Sequence, residues 1–200
     1  HFDTKSCIAD DFIGANDSGS STGLLLELAR SLRSNKGPGP GICFAFLDGE
    51  ECVMRYTERD GLHGSRRMAR GMRTSGVASN VLGVILLDMV GDSHLTVTIP
   101  NNCTFPLVSM VLRSAYEEGV RGKFSLSNEA LIDDHEPFRL IGIPVVDIID
   151  FQYGSAPGRN DYWHTPQDTL DKLSAESLET IGRVTVRTLN MLMTDKATRK

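Results

Sequence analysis

Residues 44–66 read FAFLDGEECVMRYTERDGLHGSR. The apolar run that begins two residues earlier, over 42–47, has the length and the bounded character of a buried strand. It ends on Asp48, Gly49 and two adjacent acids, Glu50 and Glu51. Carboxylates held side by side where a strand emerges repel each other unless they share a positive charge. The stretch therefore predicts a sheet whose carboxyl edge carries chemistry, with the compensating charge supplied from elsewhere.

Working outward, apolar runs predict further strands at 84–87, 95–99 and 144–149, and helical periodicity recurs between them. Leu24, Leu25, Leu28 and Leu32 mark one helix face, and Leu107, Met110, Val111 and Ala115 another. A last helix is expected from Ser174 as N-cap, turning Leu178, Ile181, Val184, Leu189 and Leu192 inward. Strands alternating with helices predict a three-layer α/β/α fold around a mostly parallel, mixed central sheet covered on both faces. Loops are expected at 36–41 (KGPGPG), 74–80 and 150–162 (DFQYGSAPGRNDY). The last is long enough, in a compact domain, to serve function. The opening HFDTK consists of residues that usually follow a strand, so residues 1–200 read as one catalytic domain, N-terminally truncated and lacking upstream strands.

Composition narrows the partners. A net charge of -5 offers no electrostatic basis for binding nucleic acid or an anionic membrane. The basic stretch RRMARGMR at 66–73 reads as a solvated helix face. No run approaches the roughly 18 apolar residues of a transmembrane segment. Cys7, Cys43, Cys52 and Cys103 form neither a disulfide framework nor a CxxC metal site, so free thiols are expected, with Cys43 as buried strand filler. Oligomeric state is not legible.

In open, mostly parallel sheets, ligands bind beyond the carboxyl ends of the strands. Gathered there are residues 48–51, Asp88, Asp150, and, beyond the long loop, Trp163 and His164. Asp17 precedes the first helix in GANDSGSSTG, and His1 and Asp3 open the chain. Singly, Asp17 reads equally well as a helix N-cap, Asp88 as a turn residue and His164 as a loop histidine bonded to backbone. The isolated His63 and His94 read as structural. Together, so many mixed Asp, Glu and His donors suit zinc or a similar divalent ion.

The ordered segments HFD, GANDSGSSTGLLLELAR, FLDGEE, LLDMVGD, DDHEPF and YWHTPQDT resemble the M28 zinc peptidase family, which also contains the glutaminyl-peptide cyclotransferases. The similarity runs over essentially the whole chain. It implies an α/β zinc-hydrolase fold of the aminopeptidase type, with His1, Asp17, Glu51, Asp88 and His164 corresponding to metal ligands. It also implies Glu50 as the catalytic acid/base and Asp3 as the residue that orients His1. Peptide or protein N-termini as substrates, and a secreted, periplasmic or secretory-pathway setting, follow from the same resemblance.

Two branches of that family remain open. In the aminopeptidases, two zinc ions hold a water that Glu50 would deprotonate. In the cyclases, one zinc held by the residues matching Asp17, Glu51 and His164 polarises the side-chain amide of an N-terminal glutamine, whose amine attacks to give pyroglutamate and ammonia. The segment ending in DGLHGSR, the DDH of Asp133, Asp134 and His135, Trp163 beside His164, and the aromatic Tyr56 resemble the cyclases. On that resemblance Asp133 joins Glu50 in proton transfer, and Trp163, Tyr56 and His135 bind substrate. Tyr56 stands where animal cyclases carry tryptophan, Asp147 where they carry histidine, and HTPQDTLDKLS is closer to bacterial peptidases. A cyclotransferase is the expectation, a metalloaminopeptidase the alternative, and an inactive binding remnant the third reading.

Overall fold

A computed structural model of the chain describes residues 1–33 and 40–194. Among the described residues, five α-helices frame four short strands: α1 Ser21–Leu32, α2 His63–Ser75, β1 Val84–Asp88, β2 Val97–Ile99, α3 Phe105–Glu117, β3 Phe124–Leu126, α4 His135–Leu140, β4 Val145–Ile149 and α5 Ala175–Thr194. β1 and β4 pair in parallel, with Val84 opposite Val145 and Asp88 opposite Ile149. β2 and β3 form a second parallel pair.

Side-chain alternation along β1 and β4 builds the layers. Leu87, Val146 and Ile148 face a core filled by Leu24 and Leu28 of α1, Leu107 and Val111 of α3, and Ile181, Val184 and Leu192 of α5. On the opposite face Val145 packs with Leu47, Ala69, Phe138 and Ile143, beneath α2 and α4. The expected α/β/α layering is thus present, because the β1–β4 pair packs helices on both its faces. The last helix starts where its cap predicts, the Ser174 hydroxyl accepting from the Glu176 amide at 3.1 Å. Ile148 is fully buried; Ile148→Ala is expected to cost about 2–5 kcal/mol in urea-induced unfolding, the range for truncating a buried aliphatic side chain.

Several elements differ from expectation. Residues 42–47 carry no ladder, because among the described residues no strand lies beside them; their main-chain bonding reduces to the Phe2 amide donating to the Leu47 carbonyl at 3.0 Å. For the same reason Cys43 is exposed instead of buried, though all four cysteines are free. The strand expected over 95–99 begins only at Val97. The residues 74–80, expected as a loop, contain the end of α2 and a 3-10 turn, Val77–Asn80. β3 was not legible, since Phe124–Leu126 offers three residues, two of them exposed. Of the loop expected at 36–41, residues 36–39 lie outside the described residues. The segment 150–162 is irregular, as expected. No described helix is long and apolar enough to cross a membrane.

Candidate active site

The turn after residues 42–47 is fastened to the start of α2. The amides of Leu62, His63 and Gly64 donate to the carbonyls of Glu50, Gly49 and Asp48 at 2.9, 2.8 and 2.8 Å. The approach is so close that a Cβ on Gly64 would lie 2.7 Å from the Asp48 backbone, and Gly49 adopts φ +66°. Glycine is required at both positions. On the other side of the turn, one carboxylate grips two amides: Asp3 accepts from Glu50 N at 3.2 Å and from Glu51 N at 3.1 Å. These bonds fix the paired glutamates so that their side chains diverge.

Asp17 stands at the centre. Its Oδ1 lies 3.1 Å from His1 Nε2 and its Oδ2 3.1 Å from His164 Nε2. Around the first imidazole, Asp88 Oδ1 is at 3.4 Å; around the second, Glu51 Oε1 is at 2.8 Å. Two donor groups result, His1–Asp17–Asp88 and Asp17–Glu51–His164, sharing Asp17. Glu50 belongs to neither, yet its Oε2 reaches within 3.9 Å of His1 Nε2, while its Oε1 accepts a 2.8 Å hydrogen bond from the Tyr56 hydroxyl. The five residues expected as ligands therefore converge, with Glu50 beside them.

Electrostatics explain why this cluster wants a cation. Burial disfavours charge on His164, but Asp17 and Glu51 bring its pKa up to about 9. Burial likewise opposes, and Asp17, Asp3 and Asp88 overcome, so that His1 is raised well above the usual imidazole range. Burial would also raise Asp17, but its two histidine partners hold it below the usual carboxylate range. A divalent ion bound among the same donors would displace protons from the two imidazoles. Asp88 Oδ1 and Glu51 Oε2 are buried without a hydrogen-bond donor, although Lys5 Nζ stands 3.4 Å from the latter. Mixed carboxylate and imidazole donors with orphaned oxygens fit zinc. Glu50 is different: burial, reinforced by Asp88 and Glu51, pushes its carboxyl up to about 8, a value suited to moving protons near neutral pH.

The remaining expected residues take distinct places. Asp3, besides its grip on the glutamate amides, lies with Oδ1 3.4 Å from His1 Nδ1, and its carbonyl pairs with the same nitrogen at 3.0 Å. Trp163 stacks on His164, ring centroids 3.9 Å apart, and meets Phe151 edge-on at 5.0 Å. His164 adopts φ +54° and Met89, directly after Asp88, φ +48°; left-handed backbone at non-glycine residues is strain that clusters at functional sites. Asp133 is buried close enough to Glu50 for their charges to interact; burial first, then Asp147, Asp88 and Glu50, push it well above the usual range. His135 is fully buried, with Nδ1 3.4 Å from Asp147 of β4. His63 and His94 take no part in either donor group.

One residue of the site was overlooked. Asp168, four positions after His164 in HTPQDT, accepts from Asn16 N at 2.7 Å, Asp17 N at 3.1 Å and the Tyr153 hydroxyl at 2.9 Å. It ties the Asp17 loop to the segment carrying His164, and because it acts on backbone amides of a distant loop the sequence offered no signal for it. Asp168→Asn removes one of the acceptor oxygens while keeping the shape. Metal affinity is expected to fall about 10–100-fold, the usual cost of losing a residue that orients a ligand, read by chelator competition.

The model of Peptidase family M28 matches residues 1–189. The glutaminyl-peptide cyclotransferase of Boiga irregularis is 26% identical over 219 residues, which covers 92% of this chain and 58% of that protein; the chain thus spans little more than half the length of this relative. Among solved structures, an Acidobacteriales bacterium glutaminyl cyclase shares 35% identity at a TM-score of 0.90, covering 96% of this chain and 67% of that one. A Zn-dependent exopeptidase from Parabacteroides distasonis shares 31% identity at a TM-score of 0.73, covering 92% and 64% respectively.

Proposed function

Because the chain belongs to peptidase family M28, we propose that it carries the zinc-binding site of a glutaminyl-peptide cyclotransferase, which converts an N-terminal glutamine to pyroglutamate and releases ammonia. The observation that carries this reading is Glu50: a proton-carrying acid held beside, and outside, two donor groups. The likeness to a glutaminyl cyclase over nearly the whole chain and the aromatic wall of Trp163 and Phe151 next to His164 favour glutamine as the side chain received.

Asp17, Glu51 and His164 would hold the zinc. When bound there, a divalent cation polarises the glutamine side-chain carbonyl and offsets the negative charge that develops on its oxygen. The chain's own groups manage the protons. Glu50, as carboxylate, takes a proton from the substrate α-amine as that nitrogen bonds to the side-chain carbonyl carbon. It then passes the proton to the amide nitrogen, whose bond to the same carbon breaks, and ammonia departs. Tyr56 keeps Glu50 aimed through its 2.8 Å hydrogen bond. Asp133, whose carboxyl burial and its acidic neighbours push well above the usual range, would join the proton-transfer network beside Glu50. Trp163 lies against the His164 ring and would form the apolar side of the glutamine site.

A second reading has its own support. The two donor groups sharing Asp17 form the kind of bridged arrangement that holds paired cations, and the exopeptidase likeness points the same way. The chain would then be an aminopeptidase in which Glu50 deprotonates water. The two activities separate with the zinc-loaded chain and two peptides, one starting with Gln and one with Leu. Ammonia release from the first without free leucine from the second is the expected result. Free leucine alone overturns the cyclase reading, and neither product at stoichiometric zinc overturns both.

A further inference from the structure

The chain from Cys52 to the end of α2 carries charge of one sign. Residues 52–75 contain Arg55, Arg59, Arg66, Arg67, Arg70 and Arg73 against two acids, Glu58 and Asp60, in a chain of net charge -5. Arg66 is half-buried and the other five arginines are exposed. α2 has no acid among its 13 residues. Arg66, Arg70 and Arg73 succeed one another at i, i+4 and i+7, a spacing at which like charges weaken a helix. Arg66 also stands near the N-terminal end, where the helix dipole favours an acid.

The protein does not compensate these charges itself. On other helices arginines hold a carboxylate: Arg30 lies 2.6 Å from Glu27, Arg139 2.7 Å from Glu136 and Arg187 2.5 Å from Glu118. Among the described residues, no arginine of 52–75 has such a partner. Asp60 is already engaged, its carboxylate accepting from the amides of Val53, Met54 and Arg55 at 2.7, 2.9 and 3.2 Å. Local rules broken without internal compensation are expected where a surface serves binding.

The position of the arginines says what they would meet. The loop that carries Arg55 and Arg59 also supplies Tyr56, whose hydroxyl donates to Glu50 at 2.8 Å. A Cβ on Gly61 would lie 2.5 Å from the Tyr56 ring, so the loop is packed closely against the site. Arg66 joins this loop to α2 by donating to the Thr57 carbonyl. The arginines thus start at the edge of the Glu50 site and continue along the first turns of α2, about 10 Å of helix from His63 to Arg70. An extended peptide advances about 3.3 Å per residue, so one whose N-terminus lies at Glu50 reaches them with roughly its third to sixth residues.

We propose that this arginine surface binds acidic side chains, Asp or Glu, in that part of the substrate peptide. The proposal deepens the reading of the site as one for peptide N-termini and rests on it. Guanidinium groups pair with carboxylates through two parallel hydrogen bonds, and each carboxylate also relieves the repulsion along α2. Screening at physiological salt confines a charge to about 8 Å, so a short acidic segment meets the arginines and not the net charge of -5.

The test uses the zinc-loaded chain and two peptides, Gln-Ala-Ala-Asp-Asp-Asp and Gln-Ala-Ala-Lys-Lys-Lys, with Gln-Ala as a substrate too short to reach the arginines. Ammonia release from Gln-Ala judges the reaction; the ratio of kcat/KM between the two hexapeptides judges the surface. The acidic peptide is expected to lead by at least about tenfold, through KM, as several exposed ion pairs together allow. Raising salt from about 20 mM to about 300 mM should shrink the lead. Arg59→Glu/Arg67→Glu/Arg70→Glu, three exposed positions, should reverse the preference. A ratio below about threefold, or one that the triple variant leaves unchanged, overturns the proposal. If no peptide releases ammonia, the same ratio and its reversal are read from the Kd of each hexapeptide by calorimetry, and equal affinities are equally decisive against it.

Discussion

Glu50→Gln keeps its zinc and loses turnover, with kcat falling by about 10³-fold, within the range lost with a positioned acid/base. Glutamine preserves the shape and still accepts the Tyr56 hydroxyl, which bonds Glu50 Oε1 at 2.8 Å. What it lacks is the ability to receive a proton and return it. Glu50 lies outside both donor groups, so metal content should be unchanged. Stability should hold as well, because burial already pushes this carboxyl up to about 8, and a neutral amide replaces a group that is mostly neutral at pH 7 in the cation-free chain. The measurement pairs kcat with metal analysis and a melting curve on one preparation. Loss of zinc together with activity would make Glu50 a ligand, and a kcat within tenfold of the unaltered chain would remove it from the chemistry.

How much of this was legible in the sequence follows from how each feature is made. The residues expected as ligands were readable because they sit where a strand or a turn ends: Asp88 is the last residue of β1 and Glu51 lies in a turn that Gly49 and Gly64 permit. Chain order and residue type suffice for such positions. The apolar run 42–47 was readable as a buried segment, but a strand exists only through its neighbour, and no periodicity reports whether that neighbour is present. Cys43 followed the same error, since its burial depended on the same missing pairing. His135, at the start of α4, lies against Asp147 of β4, a packing relation invisible in DDH. Asp168 acts through backbone amides of a distant loop, and acceptors of that kind leave no pattern in the residues they hold.

Asp17→Ala is expected to be the most damaging single change in the site, because Asp17 is the one side chain common to both donor groups. Removing His1 or Asp88 disrupts only the first group and removing Glu51 only the second. Metal bound to Asp17→Ala should fall to background, and activity at least about 10³-fold, since without the cation nothing supports charge developing on the carbonyl oxygen. Chelation gives a stability counterpart. At free metal near 1,000 times Kd, binding stabilises by about 4 kcal/mol, so a chelator should lower the melting midpoint of the unaltered chain by about 8–16 °C for a domain this size and leave Asp17→Ala unmoved. The pH dependence has a definite sign. His164 titrates at about 9 in the cation-free chain, so the metal must displace its proton at pH 7, and apparent affinity should rise with pH up to about 9, by at most tenfold per unit for each proton displaced. The companion variant decides the number of ions: Asp88→Ala leaves one zinc per chain unaltered if only Asp17, Glu51 and His164 are filled, whereas a fall from two to one places a second ion at His1 and favours the peptidase chemistry. An Asp17→Ala chain that still holds stoichiometric zinc would dissolve the shared-carboxylate arrangement on which both readings of the reaction depend.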